Sequence, residues 1–509
     1  MGIIKRQSLK TSIVNYIGVL IGVVFFNFVF PHLVSEEYLG LIGLLQNLTY
    51  IFISIPALGL AQIIFRYFSV WKESETVNYF NAFALLAMSV GIILFAFFYY
   101  LFRHQIIENY KAHSALFVPY YFLIIPLVAT QVFSQYFEIY SMLKLRVAVP
   151  TFLREIVVRV LLILLIYGFI YQVLNKEQFI YGFALIYMVT FFILVVYAIK
   201  GLGFKAYSPS KFLTQNHDLK QQFYFGGGML LLTVCLNISN FLDGIILPAY
   251  LGLGVLGIYM RPLVLGQMIQ VPYRAISFIS TPIIREAIVN NDMQKVNHLN
   301  KGISINLFLI GCFLYTLLVS NASGIFALLP PSYAIGENVL YIIATGRLVD
   351  MAFGLNTEII NSSKHFKYII YLSVIMMLMT IVLNVLLIPK MGMNGAALAV
   401  SISLTVFNVL KSIVIYNKFH FHCFSKHYIT LLCISASTMG ILFFIPHLSF
   451  IKHHMFLNSC LNIVGKSILG AILFVVPVYY CKVSTDFNDF FQLIISGKIF
   501  KGGHKMEEL

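Results

Sequence analysis

The chain reads as an all-α integral membrane protein of about fourteen transmembrane helices, since that many apolar runs approach the roughly 20 residues a helix needs to cross a bilayer. Two further observations agree. Mean hydropathy is +0.88, with 60% hydrophobic and 10% charged residues, where a soluble domain carries about 25% charge. Basic residues also fall on alternate sides of successive runs.

The first seven spans are read at 13–30, 39–65, 77–101, 115–137, 156–171, 179–199 and 223–247. The first lacks a small-residue cleavage site and carries Asn15 and Asn27, so it reads as a retained helix rather than a signal sequence. The second opens on Tyr38-Leu-Gly-Leu-Ile-Gly and contains Pro56 and Gly59, residues that bend or loosen a membrane helix or let it pack closely. The sixth ends at the longest polar stretch, 200–222, which separates six spans from eight. From Ser208 that stretch can form a short helix on the inner membrane surface, offering Phe212 and Leu219 as its apolar side, or else a solvated linker. The seventh begins with Gly226-Gly227-Gly228.

Seven more spans are read at 254–279, 303–322, 339–360, 368–388, 395–416, 428–445 and 461–480. The eighth is preceded by Tyr250-Leu-Gly-Leu-Gly-Val-Leu-Gly, an echo of the second, and contains Pro262 and Pro272. Such echoes between halves mark transporters built from structural repeats. From Asp486 the tail sets Phe487, Phe490, Phe491, Ile494, Ile495 and Ile499 near one stripe, which suits a helix lying along the membrane surface. The resulting organisation is 1–200 and 223–417 as lobes, 201–222 as linker, 418–485 as two added helices and 486–509 as tail.

Orientation follows from Lys and Arg. With the N-terminus inside, only Arg103, Lys111, Lys176, Lys390 and Lys452 fall outside, so both termini are expected to be cytoplasmic. The net charge of +15 is then mostly this bias and not a nucleic-acid footprint. Six cysteines suggest no disulfide framework.

Arg159, Arg261, Arg274, Arg347, Lys411 and Lys466 remain within spans. A cation at mid-bilayer costs at least about 2.5 kcal/mol, so each must face a partner, water or an anionic cargo. Arg347 lies near the middle of its span, Arg274 in the inner half of the eighth and Arg261 two turns inside its outer end. Lys411 is near enough to an end to snorkel, and Arg66 marks the inner end of the second span, facing headgroups or a cavity mouth. Asp350 follows Arg347 by three residues and can pair with it, whereas Asp243 has no basic residue one turn away. Asp243 therefore pairs across helices, with a residue such as Arg261, or takes up a proton. Several cations in one pore point to an anion, and arginine suits phosphate because its planar fork gives bidentate hydrogen bonds.

Other signals weigh less. His420, His422, Cys423 and His427 only loosely resemble a zinc motif, so no metal or cofactor is expected. No Gly-Lys-Ser/Thr phosphate loop is present. Glu36 and Glu37 in the first outer loop would suit a membrane glycosyltransferase, which ranks below transport because no large outer domain accompanies them. An ion-coupled exporter of small amphiphilic molecules is the other alternative.

Three ordered stretches carry a resemblance: Ser35-Glu-Glu-Tyr-Leu-Gly-Leu through Ala57-Leu-Gly-Leu-Ala to Arg66; Asp243-Gly-Ile-Ile-Leu through Leu256-Gly-Ile-Tyr to Pro282-Ile-Ile-Arg-Glu; and Leu383-Asn-Val-Leu-Leu-Ile-Pro-Lys-Met-Gly-Met-Asn-Gly. The chain resembles the polysaccharide flippase branch of the multidrug/oligosaccharidyl-lipid/polysaccharide exporter superfamily. The resemblance implies two six-helix lobes in a V around a central cavity, two extra C-terminal helices and alternating access. It further implies a polyprenyl-pyrophosphate-linked oligosaccharide as cargo, membrane lipids as surroundings, a polysaccharide polymerase as candidate partner, and the bacterial cytoplasmic membrane as location. Arg261 is similar in position to a cavity arginine of lipid II flippases, but the first span lacks the arginine of those proteins. The expected substrate residues are Arg261, Arg274 and Arg347, with Arg66 and Arg159 near the cytoplasmic mouth. Asp243 or Asp350 is expected to couple the cycle to an ion gradient, and no catalytic residue is expected.

Overall fold

The computed structural model describes residues 14–15, 17–71, 75–215, 218–446 and 455–495, and all regular structure there is helical. The N-terminal basic residues Lys5, Arg6 and Lys10, together with Lys72, Lys452 and the tail from 496, lie outside them.

The elements in chain order are α1 (Ile17–Leu33), α2 (Glu36–Ala57), α3 (Leu60–Trp71), α4 (Thr76–Leu101), α5 (Arg103–Lys111), α6 (Ala115–Leu143), α7 (Val158–Ile170), α8 (Lys176–Gly201), α9 (Pro209–Gln215), α10 (Leu219–Phe241), α11 (Asp243–Leu251) and α12 (Leu253–Gln267). They continue as α13 (Val271–Val289), α14 (Met293–Ser320), α15 (Glu337–Ala352), α16 (Asn356–Ser362), α17 (Lys367–Phe419), α18 (His427–Phe443), α19 (Met455–Tyr480) and α20 (Thr485–Ile495). Among the described residues eight helices are long and apolar enough to span a membrane unaided, and a ninth is a bent pair. The count of fourteen thus remains a sequence expectation, because several expected spans are broken. The chain divides into two compact units, 1–260 with 377–396 and 261–376 with 397–509.

In the first unit α2 begins with Glu36 and Glu37 in its first turn, where carboxylates complement the helix dipole. It stops at Leu58 and Gly59, both left-handed at φ 52° and 69°, before α3 resumes. A Cβ on Gly59 would lie 2.3 Å from the carbonyl oxygen of Gly226, so the backbones of the second and seventh spans touch there. Gly40 meets the backbone of Leu253 as closely, Asn237 donates to Ser54 at 2.8 Å, and Tyr50 stacks on Phe241. Small residues are what let membrane helices approach to this distance.

The interlobe stretch departs from its expected place on the membrane surface. Its helix α9 forms, but Phe212 is 1% exposed, caged by Trp71, Phe80 and Phe83. Asn81 ties the preceding segment down by donating to the carbonyl of Lys205, and accepts in turn from Tyr136. An aromatic ring finds more contact in that cage than at a headgroup layer.

In the second unit α14 packs on α15 and α18, and its Phe308 stacks on Tyr428 at 4.7 Å within a core that includes Leu431 and Phe474. The tenth span is broken: the helical stretches on either side of it are bent by 50°, around Gly354 at φ 56°. A Cβ at Gly354 would overlap the hydroxyl of Ser304, so only glycine fits both the turn and the space. This break sends α16 against α13. Asn306 fastens the start of α20, accepting from Ser484 and donating to Asp486 at 2.7 Å.

Candidate functional site

The in-span charges sort by what surrounds them. In the first unit Arg159 pairs with Glu155 one turn back at 2.8 Å, and its guanidinium lies over Gly18 and Gly22 of α1, whose lack of side chains gives it room. Arg154 bridges Glu138 at 2.7 Å and Glu155 at 3.1 Å, completing a four-residue cluster of which sequence reading singled out only Arg159. Arg66 is exposed and sits over the ring of Phe225 at 4.3 Å. Asp243 is 2% exposed; its carboxylate accepts from the Tyr259 hydroxyl at 2.5 Å and from the backbone N–H of Gly244. A phenol nearly two turns into α12 thus partners this carboxylate.

The second unit holds a half-buried polar network on α13, α15, α16 and α17. Gln270, at the turn leading into α13, accepts from Arg347 at 3.0 Å and donates to Asp350, bridging the two residues expected to pair directly. Asn408 donates to the other oxygen of Asp350 at 2.6 Å. One turn beyond the break, Glu358 accepts from Tyr273 at 2.9 and 3.0 Å and from Ser277 at 2.5 Å. Lys411 is 5% exposed and does not snorkel: its ammonium donates to Thr357 at 2.8 Å and lies over Phe407. Turning inward gives it a hydroxyl and a ring face. Arg261 is also buried, beside Tyr333.

Arg274 differs from these. It is exposed on α13, and among the described residues it makes no hydrogen bond or ion pair. It shares an open cleft with Phe278, Thr281, Pro282 and Arg285, spaced at helical intervals along one stripe. Glu286 lines the same cleft without pairing with Arg274, so this guanidinium is left to water or a bound anion. The cluster at 420–427 does not gather: Cys423 turns into the core toward the carbonyl of Ala352, and among the described residues no three His, Cys, Asp or Glu side chains are placed to hold a metal.

Residues 4–287 match a family model described as polysaccharide biosynthesis protein. The chain belongs to this family. Among solved structures, a lipid II flippase MurJ in an inward closed conformation superposes with a TM-score of 0.66 at 16% identity, over 93% of this chain and 99% of that one. An inward-facing multidrug resistance MATE family transporter of the MOP superfamily gives 0.63 at 11% identity, over 81% and 94%. The MATE transporter VcmN of Vibrio cholerae gives 0.54 at 14%, over 82% and 99%. At these identities the likeness shows a shared fold. No curated protein sequence matches the chain. This member of the polysaccharide biosynthesis family is a multi-pass membrane protein with an all-α fold that it shares with a flippase and transporters.

Proposed function

We propose that the chain is an alternating-access flippase, moving a polyprenyl-pyrophosphate-linked oligosaccharide from the cytoplasmic to the outer leaflet of a bacterial cytoplasmic membrane. The observation that carries this reading is Arg274, an exposed guanidinium without a protein partner among the described residues, in a cleft with the hydroxyl of Thr281 and the second cation Arg285. Two anionic phosphates suit such a stripe, because each charge-assisted bond is about twice as strong as a neutral one. The exposed apolar residues Phe278 and Ile283 on the same helix suit an isoprenoid chain.

In this reading Arg274 contacts the pyrophosphate and Arg66 guides it at the cytoplasmic mouth. Arg261 and Arg347, both held by protein partners, add positive potential behind it, and Arg159 does the same in the first unit. Asp243 or Asp350 carries the coupling ion, both termini are cytoplasmic, and a polymerase receives the product outside. The lobes are 1–200 and 223–417, joined by 201–222, with helices of 418–485 added.

The test is to switch off expression and identify polyprenyl-linked glycans by mass spectrometry. Build-up of one completed pyrophosphate-linked repeat unit supports the reading and names the cargo. An unchanged lipid pool overturns it in favour of export of small amphiphilic molecules, a reading that a neighbour described as a multidrug resistance transporter would suit.

A further inference from the structure

Glu358 plays no part in the scheme above, yet its carboxylate accepts from two side-chain hydroxyls of a neighbouring helix. Both donors to it, Tyr273 and Ser277, lie one turn apart on α13, and Tyr273 directly precedes Arg274. Ser280, Ile284 and Ala287 follow one another at helical spacing along the covered side of α13, half-buried Tyr273 and Ser277 continue that row where it borders the cleft, and Arg274, Phe278 and Arg285 lie on the open side. The rotation of α13 about its axis is therefore set by what its covered side grips. Gln270 grips Asp350, and Tyr273 and Ser277 grip Glu358, one carboxylate on each side of the bend at Gly354.

We propose that Glu358 is a proton-linked positioning residue, which holds α13 with Arg274 facing outward while ionised and releases the helix when it takes up a proton. As a carboxylate its Oε1 accepts from both hydroxyls and its Oε2 from Tyr273. A proton taken from water onto Oε2 turns that oxygen from acceptor into donor toward the Tyr273 hydroxyl. What remains at Oε1 is a neutral acceptor, so the charge-assisted character of both bonds is lost. The charged and titratable groups facing Glu358 are Tyr273 on α13, Asp350 on α15 and Lys411 on α17. Neither Lys411 nor Asp350 bonds to Glu358, whose hydrogen bonds come from the hydroxyls of Tyr273 and Ser277. The inference rests on the flippase reading for its purpose, but not for its measurement.

The experiment places single cysteines in the otherwise cysteine-free full-length chain in nanodiscs, at buried Ser280 and, as reference, at exposed Ala275. Maleimide labelling of Ser280→Cys is read as a ratio to Ala275→Cys, which cancels the intrinsic pH dependence of thiols. With Glu358 present the ratio should rise about tenfold between about pH 8 and about pH 5, the factor expected for loss of one net hydrogen bond. Glu358→Gln should give a ratio already high at the upper pH and flat across the range. Should that variant fail to fold, Tyr273→Phe combined with Ser277→Ala keeps the carboxylate and should show the same high, flat ratio. A ratio that does not change with pH when Glu358 is present, or that changes equally in Glu358→Gln, overturns the proposal. Arg274→Ala should leave the labelling profile intact. Glycan flipping retained in that variant would then sink the flippase assignment while the latch stands.

Discussion

Each unit holds a cluster of partly buried charge, and the two clusters are held in opposite ways. In the first, Arg154 and Arg159 close on Glu138 and Glu155 as ion pairs, although buried Asp243 of the same unit rests on a phenol and a backbone N–H. In the second, Asp350 and Glu358 take their hydrogen bonds from amides and hydroxyls. A closed pair resists any change of charge on either member, because the survivor is left uncompensated. A carboxylate solvated by neutral donors can gain or lose a proton without stranding an opposite charge. The first arrangement fixes structure; the second leaves a variable.

The sharpest way to break this comparison is to remove Arg274, a cation without a protein partner among the described residues. Arg274→Ala should cut flipping about 10- to 100-fold, the equivalent of one or two charge-assisted bonds, with insertion and melting temperature unchanged; cellular lipid-linked glycan levels and protein abundance check it. Next comes a closed pair. Glu155→Gln strands Arg159 and weakens Arg154, and should lower stability by about 2 kcal/mol, less than a fully buried pair because both side chains retain some solvent; thermal melting in detergent reads it. Asp350→Asn keeps one acceptor oxygen among neutral donors and should cost about 1 kcal/mol in the same assay, so the two carboxylates should differ although both are partly buried. The smallest effect is expected at the exposed pair of His104 and Glu108, where His104→Ala should stay within about 0.5 kcal/mol.

Much of the fold was legible because the bilayer imposes a one-dimensional pattern: apolar runs, flanking lysines, and arginines where none should sit. The same pattern exposed Arg274 and Arg347. It could not show Glu358, which falls at the end of a run next to a lysine-rich loop and looks like an ordinary terminal charge; its donors lie about 80 residues away. Lys411 misled for a related reason, since distance from a span end says nothing about which way a side chain turns. Phe212 misled because an aromatic among lysines suits a membrane surface and a protein cage equally well, and only the meeting of Trp71, Phe80 and Phe83 decides between them.

The contact between Gly59 and Gly226 has a mechanical meaning. Helices that meet through interdigitated side chains behave like gears, and sliding them requires each tooth to cross a rotamer barrier. Where backbone rests on backbone the teeth are few. Midway along the second span, at the point where α2 gives way to α3, the first unit therefore carries a smooth patch, with Ile63 the side chain that still lies against Gly226 and the Asn237–Ser54 bond and Tyr50–Phe241 stack fastening the same helices further along.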